Sequence, residues 1–459
     1  MRVPARGAGS TLVCAGCGAS PAAADPYPFR CPNAGAGDVD HVLRRHLDLS
    51  GVAFPTTGPA DMPADANPYL RFRRLFHAWH VAVAGGMSDE AYCELVRGLD
   101  DAVASVDGRG FIATPFRRAD ALSDLLGFAT SGGVWVKDET ANVSGSHKAR
   151  HLFGLLVYLE VLDRLGLARA GGSRRLAIAS CGNAALAAAV VAAAGRRTLD
   201  VFVPVDADEA VVARLTQLGA HVTVCPRRPG VAGDPTYHRL RAALADGELP
   251  FTCQGNENGL AVEGAFTLGY EMAADLAGEP LGRLIVQVGG GALASACIES
   301  LDECRDLGVL AAAPRYHAVQ TRGAWPLPRA FERLVDRLSP GASDDDRRSM
   351  LRYAATHRSE FMWPWEEEPR SIAHGILDDE TYDWLAVVEG MLESGGGPVV
   401  VGEDLLARAN RLAFETTGID VDETGSAGLA GLVALRERGE IGDDERVAVL
   451  FTGRRRRSS

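Results

Sequence analysis

The chain has 459 residues, 47 of them Lys or Arg and 60 Asp or Glu, which gives a formal net charge of −13 at pH 7. An acidic balance of this size argues against nucleic acid as a partner, because duplex binding needs a basic face to displace counterions. With 47% hydrophobic and 23% charged residues the composition is that of a globular protein, and the length suggests two or three domains at about 150 residues each. No run reaches the roughly 18 uncharged apolar residues of a membrane span. The start, Met1-Arg2-Val3-Pro4-Ala5-Arg6, has no apolar segment behind it, so a cytoplasmic location is expected.

Residues 1–109 show no regular alternation of strand and helix and read as an N-terminal extension. They hold Cys14-x-x-Cys17, a Pro/Gly/Ala-rich stretch near 51–68, and helical patterns over Tyr69 to Val83 and Ser88 to Val103. Cys14, Cys17 and Cys31 have the look of half a zinc ribbon, and His41 would complete a Cys3His set. A degenerate ribbon with free thiols is the alternative. The nine cysteines in all, an odd number spread along the chain, fit reduced thiols better than a disulfide framework.

From about residue 110 short apolar runs alternate with amphipathic or Ala-rich helical runs. Strands are expected at Leu176 to Ala179, Leu199 to Val205, His221 to Cys225, Leu284 to Val288, Tyr316 to Gln320 and Val447 to Phe451. Helices are expected at Ala184 to Ala194, Asp208 to Leu218, Leu260 to Leu276, Ala292 to Leu307, Glu403 to Thr416 and Ser426 to Arg438. Continuous apolar strands are buried on both faces, so the fold class is α/β with mostly parallel sheets covered by helices. The expected layout is a large lobe from 110–145 and 250–453, interrupted by a Trp-, Pro- and acid-rich insertion at 322–397, and a small lobe from 146–249. In the insertion, Trp363-Pro364-Trp365 suggests burial of large rings, and residues 454–459 read as a solvated, disordered basic tail.

Only two of the 47 basic residues are lysine, Lys137 and Lys148. Where every ordinary cation is written as Arg, a lysine points to amine chemistry that a guanidinium cannot perform. Lys148 closes the small-residue turn Ser144-Gly145-Ser146-His147 at the start of a long helix, whose partial positive charge favours a neutral amine. Three more segments lie at strand-to-helix junctions, where open α/β sheets place their ligands. Ser180-Cys181-Gly182-Asn183 offers an amide, or only a helix cap. Gly289-Gly290-Gly291-Ala292-Leu293 exposes backbone N–H groups at a helix start, a cradle for phosphate or a plain structural turn. Ser426, in Glu423-Thr424-Gly425-Ser426, offers a hydroxyl or another cap.

In order and context these segments resemble the fold type II pyridoxal-phosphate enzymes, which include serine and threonine dehydratases, threonine synthase and the tryptophan synthase β-subunit. The resemblance covers roughly residues 110–453. It implies that Lys148 carries the cofactor, Asn183 holds its 3′ oxygen, Gly289, Gly290, Gly291, Ala292 and Leu293 form the phosphate loop, and Ser426 faces the pyridine nitrogen. A serine there leaves the ring a weaker electron sink than an aspartate would, which favours elimination or replacement over transamination. Lys148-Ala149-Arg150 and Ser371-Ile372-Ala373-His374-Gly375-Ile376 look more like the dehydratases. The implied function is therefore an ammonia-lyase acting on serine, threonine or another β-substituted amino acid, giving a 2-oxo acid and ammonia. Threonine synthase-like conversion of O-phosphohomoserine, β-replacement, and a non-catalytic binding protein are the alternatives; a homo-oligomer, a dimer, is implied.

Overall fold

In the computed structural model the described residues are 9–23, 25–55, 67–168, 174–227 and 233–456. The first eight residues, most of the 51–68 stretch and residues 457–459 of the basic tail lie outside them. Twelve strands are present among the described residues: β1 (Ser10–Cys14), β2 (Leu43–Leu47), β3 (Phe116–Arg118), β4 (Gly133–Asp138), β5 (Leu176–Ala179), β6 (Leu199–Val203), β7 (His221–Val224), β8 (Leu249–Pro250), β9 (Arg283–Gln287), β10 (Arg315–Thr321), β11 (Gly397–Val401) and β12 (Arg446–Phe451). They form an antiparallel β1-β2 ribbon, a six-stranded sheet β11-β10-β9-β12-β4-β3, and a four-stranded sheet β7-β6-β5-β8. All pairs in the two larger sheets are parallel except β3 with β4 at the edge. Every residue of β6 and β9 is buried, which is why apolar residues run consecutively over 201–203 and 284–286 instead of alternating.

The run expected as one helix over Leu260 to Leu276 is two, Leu260–Gly264 and Phe266–Leu276, broken at Ala265. The cause is a close approach: a Cβ at Gly264 would lie 2.5 Å from the His151 carbonyl oxygen. The helix Lys148–Arg164 thus rests on this bend, backbone against backbone.

Residues 67–109 of the N-terminal extension pack onto the main body. Tyr69, Phe72, Leu75, Tyr92 and Val96 share one core with the helix Lys148–Arg164, and the Tyr69 hydroxyl reaches the carbonyls of Arg150 and Gly264 at 2.6 and 2.9 Å. The insertion is more regular than its composition suggests, with helices Pro326–Val335, Asp344–Thr356 and Trp384–Ser394. Trp363 and Trp365 are only half-buried, because the Arg329 guanidinium lies between them, 3.7 and 5.3 Å from the two ring centroids. The fully buried rings of this region are Phe361 and Trp384, which stack on each other.

Candidate active site

The segments that follow β4, β5, β9 and β12 meet at the carboxyl ends of the strands. The loop from β4 carries Ser146, His147 and Lys148, and its backbone pairs with the end of β12: Ser146 bridges Gly453, and the His147 N–H donates to the Thr452 carbonyl at 3.0 Å. Gly453 in turn lies against Asn183, and a Cβ there would sit 2.7 Å from Asn183 Nδ2. Asp422, whose N–H donates to the Gly453 carbonyl at 2.9 Å, approaches Asn183 Nδ2 at 3.5 Å. Gln287, the last residue of β9, donates from Nε2 to the Gly425 carbonyl at 2.7 Å and to the Thr452 hydroxyl at 2.8 Å.

Lys148 is the first residue of its helix and is half-buried. Two neutral histidines flank it. Burial, with the charge of Lys148 added, holds the His147 imidazole well below its usual pKa and His151 at about 3. Each faces a carbonyl with Nδ1, Thr452 at 3.2 Å and Ala261 at 2.8 Å, which places the proton on Nδ1 and leaves Nε2 a bare, buried acceptor.

Gly289, Gly290 and Gly291 precede the 15-residue helix Ala292–Asp306, with Gly291 at φ 100°. The insertion packs onto this loop closely enough to exclude side chains. A Cβ at Gly289 would meet Asp378 Oδ2 at 2.3 Å, and one at Gly290 would meet the Tyr382 ring at 2.8 Å. Burial pushes the Asp378 pKa up to about 6, against the pull of Lys148. A glycine turn at the start of a helix of this length suits an anion, because its N–H groups have no partner within the helix.

Ser426 is fully buried and does not cap its helix. Its hydroxyl donates to the Asp422 carbonyl at 3.0 Å and accepts from Asn410 Nδ2 at 2.9 Å, so its proton is committed within its own loop. Thr452 is placed differently. It stands at the end of the central strand β12 beside the Lys148 loop, and its hydroxyl accepts from Gln287, leaving its own proton free to donate.

The sequence reading missed Thr452, Gln287, Asp378 and Asn410, none of which lies in a short recognisable motif, and it gave no role to Asp422, which opens the Ser426 segment. The first three residues of the tail, 454–456, are also placed otherwise than expected. Arg456 donates to Asn183 Oδ1 at 2.9 and 3.2 Å and to the Ser144 carbonyl at 3.1 Å, and Arg454 pairs with Val421. Although exposed, Arg454 to Arg456 are tied to the cleft by these bonds instead of trailing into solvent. Beside them lies a cavity of about 620 Å³ lined by Arg214, Arg454, Arg455 and Arg456 together with Asp208 and Asp420.

Arg150 and Lys137 stand apart from this chemistry. Both are fully buried. Arg150 pairs with Glu139 at 2.7 Å and Glu271 at 2.6 Å, and Lys137 pairs with Glu271 at 2.5 Å. Of the two lysines only Lys148 is available for amine chemistry, and the arginine two residues after it is structural. Outside this cleft, Cys14, Cys17, Cys31 and His41 have come together with their ligand atoms within 4.8 Å of one another.

This fold and cleft are those of a pyridoxal-phosphate dependent enzyme, and the chain belongs to that family, which residues 109–453 match. It is similar to the threonine synthase of Methanosarcina acetivorans, 26% identical over 341 residues covering 74% of each chain, and to that of Methanocaldococcus jannaschii, 25% identical over 340 residues with the same coverage. Among solved structures it is similar in fold to the processed form of threonine deaminase isoform 2 from Solanum lycopersicum, with a TM-score of 0.58 and 17% identity over 81% of this chain and 92% of that one. A fungal L-serine ammonia-lyase from Rhizomucor miehei gives a TM-score of 0.55 and 19% identity over 75% of this chain and 94% of that one. The donor set fits the family's cofactor: a primary amine, an amide, hydroxyls, and a glycine loop that suits an anion. Among the described residues no helix is long and apolar enough to cross a membrane.

Proposed function

We propose that the protein is an ammonia-lyase that removes the α-proton of a β-substituted amino acid such as serine or threonine, expels the β-group and yields a 2-oxo acid and ammonia, working as a cytoplasmic homodimer. Lys148 would carry the cofactor and then take the α-proton, the amide of Asn183 would hold the ring oxygen, and the N–H groups from Gly289 through Leu293 would hold the phosphate. Bound there, pyridoxal phosphate supplies the electron sink for the carbanion. The pyridine-facing hydroxyl is assigned to Thr452 in preference to Ser426, because only Thr452 has a proton to give. The observation that carries the reading is this donor: a hydroxyl hydrogen-bonds a neutral ring nitrogen without protonating it, and a neutral ring favours elimination over transamination. Cys14, Cys17, Cys31 and His41 are read as a structural zinc site.

A second reading, elimination of phosphate from O-phosphohomoserine, draws on the archaeal relatives and on the arginine-lined cavity next to Asn183. The Lys148-Ala149-Arg150 pattern no longer weighs against it, since Arg150 is out of reach of the cleft. An amino-acid panel assayed in parallel for 2-oxo acid and inorganic phosphate separates the two. We expect 2-oxo acid from hydroxy amino acids; phosphate from O-phosphohomoserine with no 2-oxo acid from any of them would establish the second reading instead.

Asp378 bears on the same loop. A carboxylate over the glycine turn repels a phosphate, and at about 4 Å with an effective dielectric near 20 that repulsion is worth up to about 4 kcal/mol. Asp378→Asn is therefore expected to tighten cofactor binding at pH 8 by at least about tenfold. The gap should shrink below pH 6, where Asp378 of the parent protein takes up its proton. Fluorescence titration of the cofactor-stripped proteins at both pH values measures this, and equal affinities at pH 8 would show that Asp378 moves aside without cost.

A further inference from the structure

The four N-terminal ligand atoms have the shape of a metal site. Cys14 Sγ lies 3.7 Å from His41 Nδ1, and Cys17 Sγ lies 3.5 Å from Cys31 Sγ. A tetrahedral zinc with bonds of about 2.3 Å to sulfur and about 2.0 Å to nitrogen requires ligand separations of about 3.5–3.8 Å. The surroundings are arranged for thiolates, with the Cys17 N–H directed at Cys14 Sγ and the Asn33 N–H at Cys31 Sγ, at 3.5 and 3.4 Å. The tautomer of His41 is also set: Nε2 lies 3.0 Å from the Ala36 carbonyl and so carries the proton, leaving the Nδ1 lone pair facing the sulfurs. An outer partner of this kind is the usual companion of a metal-bound histidine. No disulfide joins the three cysteines.

The residue before His41 leads to the cofactor loop. Asp40 is buried, and its Oδ1 accepts from Trp384 Nε1 at 3.1 Å and Arg358 Nε at 3.2 Å. Its backbone N–H donates to the Ala355 carbonyl at 2.8 Å. Trp384 follows Asp383, whose N–H donates to the Gly290 carbonyl at 2.9 Å, and a Cβ at Gly291 would meet Asp383 Cβ at 3.0 Å. Four bonded steps, His41 to Asp40, Asp40 to Trp384, Trp384 to Asp383, and Asp383 to Gly290, connect the cysteine cluster to the glycine turn.

We propose that a zinc ion on Cys14, Cys17, Cys31 and His41 fixes Asp40 and, through Trp384 and Asp383, the wall of the glycine loop, so that retention of the cofactor depends on a metal held in a separate part of the chain. This rests on the reading of Gly289 to Gly291 as the phosphate loop. A four-ligand protein shell leaves no open position, so the metal takes no part in the reaction.

The test begins with metal analysis of the purified holoenzyme, where one zinc per chain is expected. Cofactor release is then followed by absorbance before and after chelation of the folded protein, in Cys17→Ser, and in Trp384→Phe. Chelation and Cys17→Ser should each speed release about tenfold or more. Trp384→Phe should do so with its zinc still bound, which separates the relay from a general loosening. Absence of zinc, a Cys17–Cys31 disulfide in the peptide map, or zinc whose removal leaves the release rate unchanged would overturn the proposal. Zinc-loaded protein with no cofactor band would instead defeat the enzyme reading, and this coupling with it.

Discussion

Lys148→Ala is expected to lower turnover by about a thousandfold or more, since it removes at once the amine that carries the cofactor and the base for the α-proton, and a positioned base alone contributes about 10²–10⁴-fold. Neither His147 nor His151 can substitute. Burial holds both neutral with their protons turned toward carbonyls, and a neutral imidazole forms no covalent link to an aldehyde. The fold should survive, because Lys148 begins its helix with its side chain half-exposed. The check combines steady-state kinetics with borohydride reduction and peptide mapping, which should place a pyridoxyl mass on Lys148 of the parent protein and nowhere in the variant. A variant with parental activity would sink the assignment.

The largest effect on stability is expected from Glu271→Ala. Glu271 holds Arg150 and Lys137 together in a fully buried site, and burial would push its carboxyl up were it not for these two cations, which hold it below the ordinary range. Removing it leaves the Lys137 ammonium without its carboxylate and the Arg150 guanidinium with Glu139 alone. Breaking a buried pair on one side costs about 3–5 kcal/mol, and here two pairs are broken. The pH dependence follows from the sign of the shift. A carboxyl with a depressed folded-state pKa contributes stability above its ordinary value of about 4.3 and loses it as the pH falls through the folded-state value. Denaturant titrations should therefore show parent and variant far apart at pH 7 and closer together below pH 4. A difference under about 1 kcal/mol at pH 7 would contradict this account of the cluster.

Much of the layout was legible because Asn183 and the glycine turn follow recognisable strands, while Lys148 stood out by the scarcity of lysine and the small-residue turn before it. Asn183 and Gly289 to Gly291 stand where short apolar runs end, and parallel sheets place ligands there. What was not legible came from distant pairings. Thr452 looks unremarkable after its strand, and only Gln287 reaching across from β9 shows that its hydroxyl is free to donate. Asp378 lies in an acidic insertion whose composition gives no hint that it folds over the glycine turn. Arg150 follows the lysine as in the dehydratases, yet its partner Glu271 lies 121 residues away, so its structural role has no local signature. Strands β4 and β11 and the helix Pro235–Ala245 also escaped notice, the strands because they adjoin irregular segments. The bend at Ala265 was hidden because a close backbone approach leaves only a glycine in the sequence.

The near-absence of lysine has a practical side. With Lys137 sealed inside an ion cluster and Lys148 half-open in the cleft, an amine-directed reagent meets a single accessible side-chain target, since guanidinium groups do not react with it. Acylating probes that decorate the whole surface of most proteins should here report on the reaction centre, with the terminal α-amine as their one competitor.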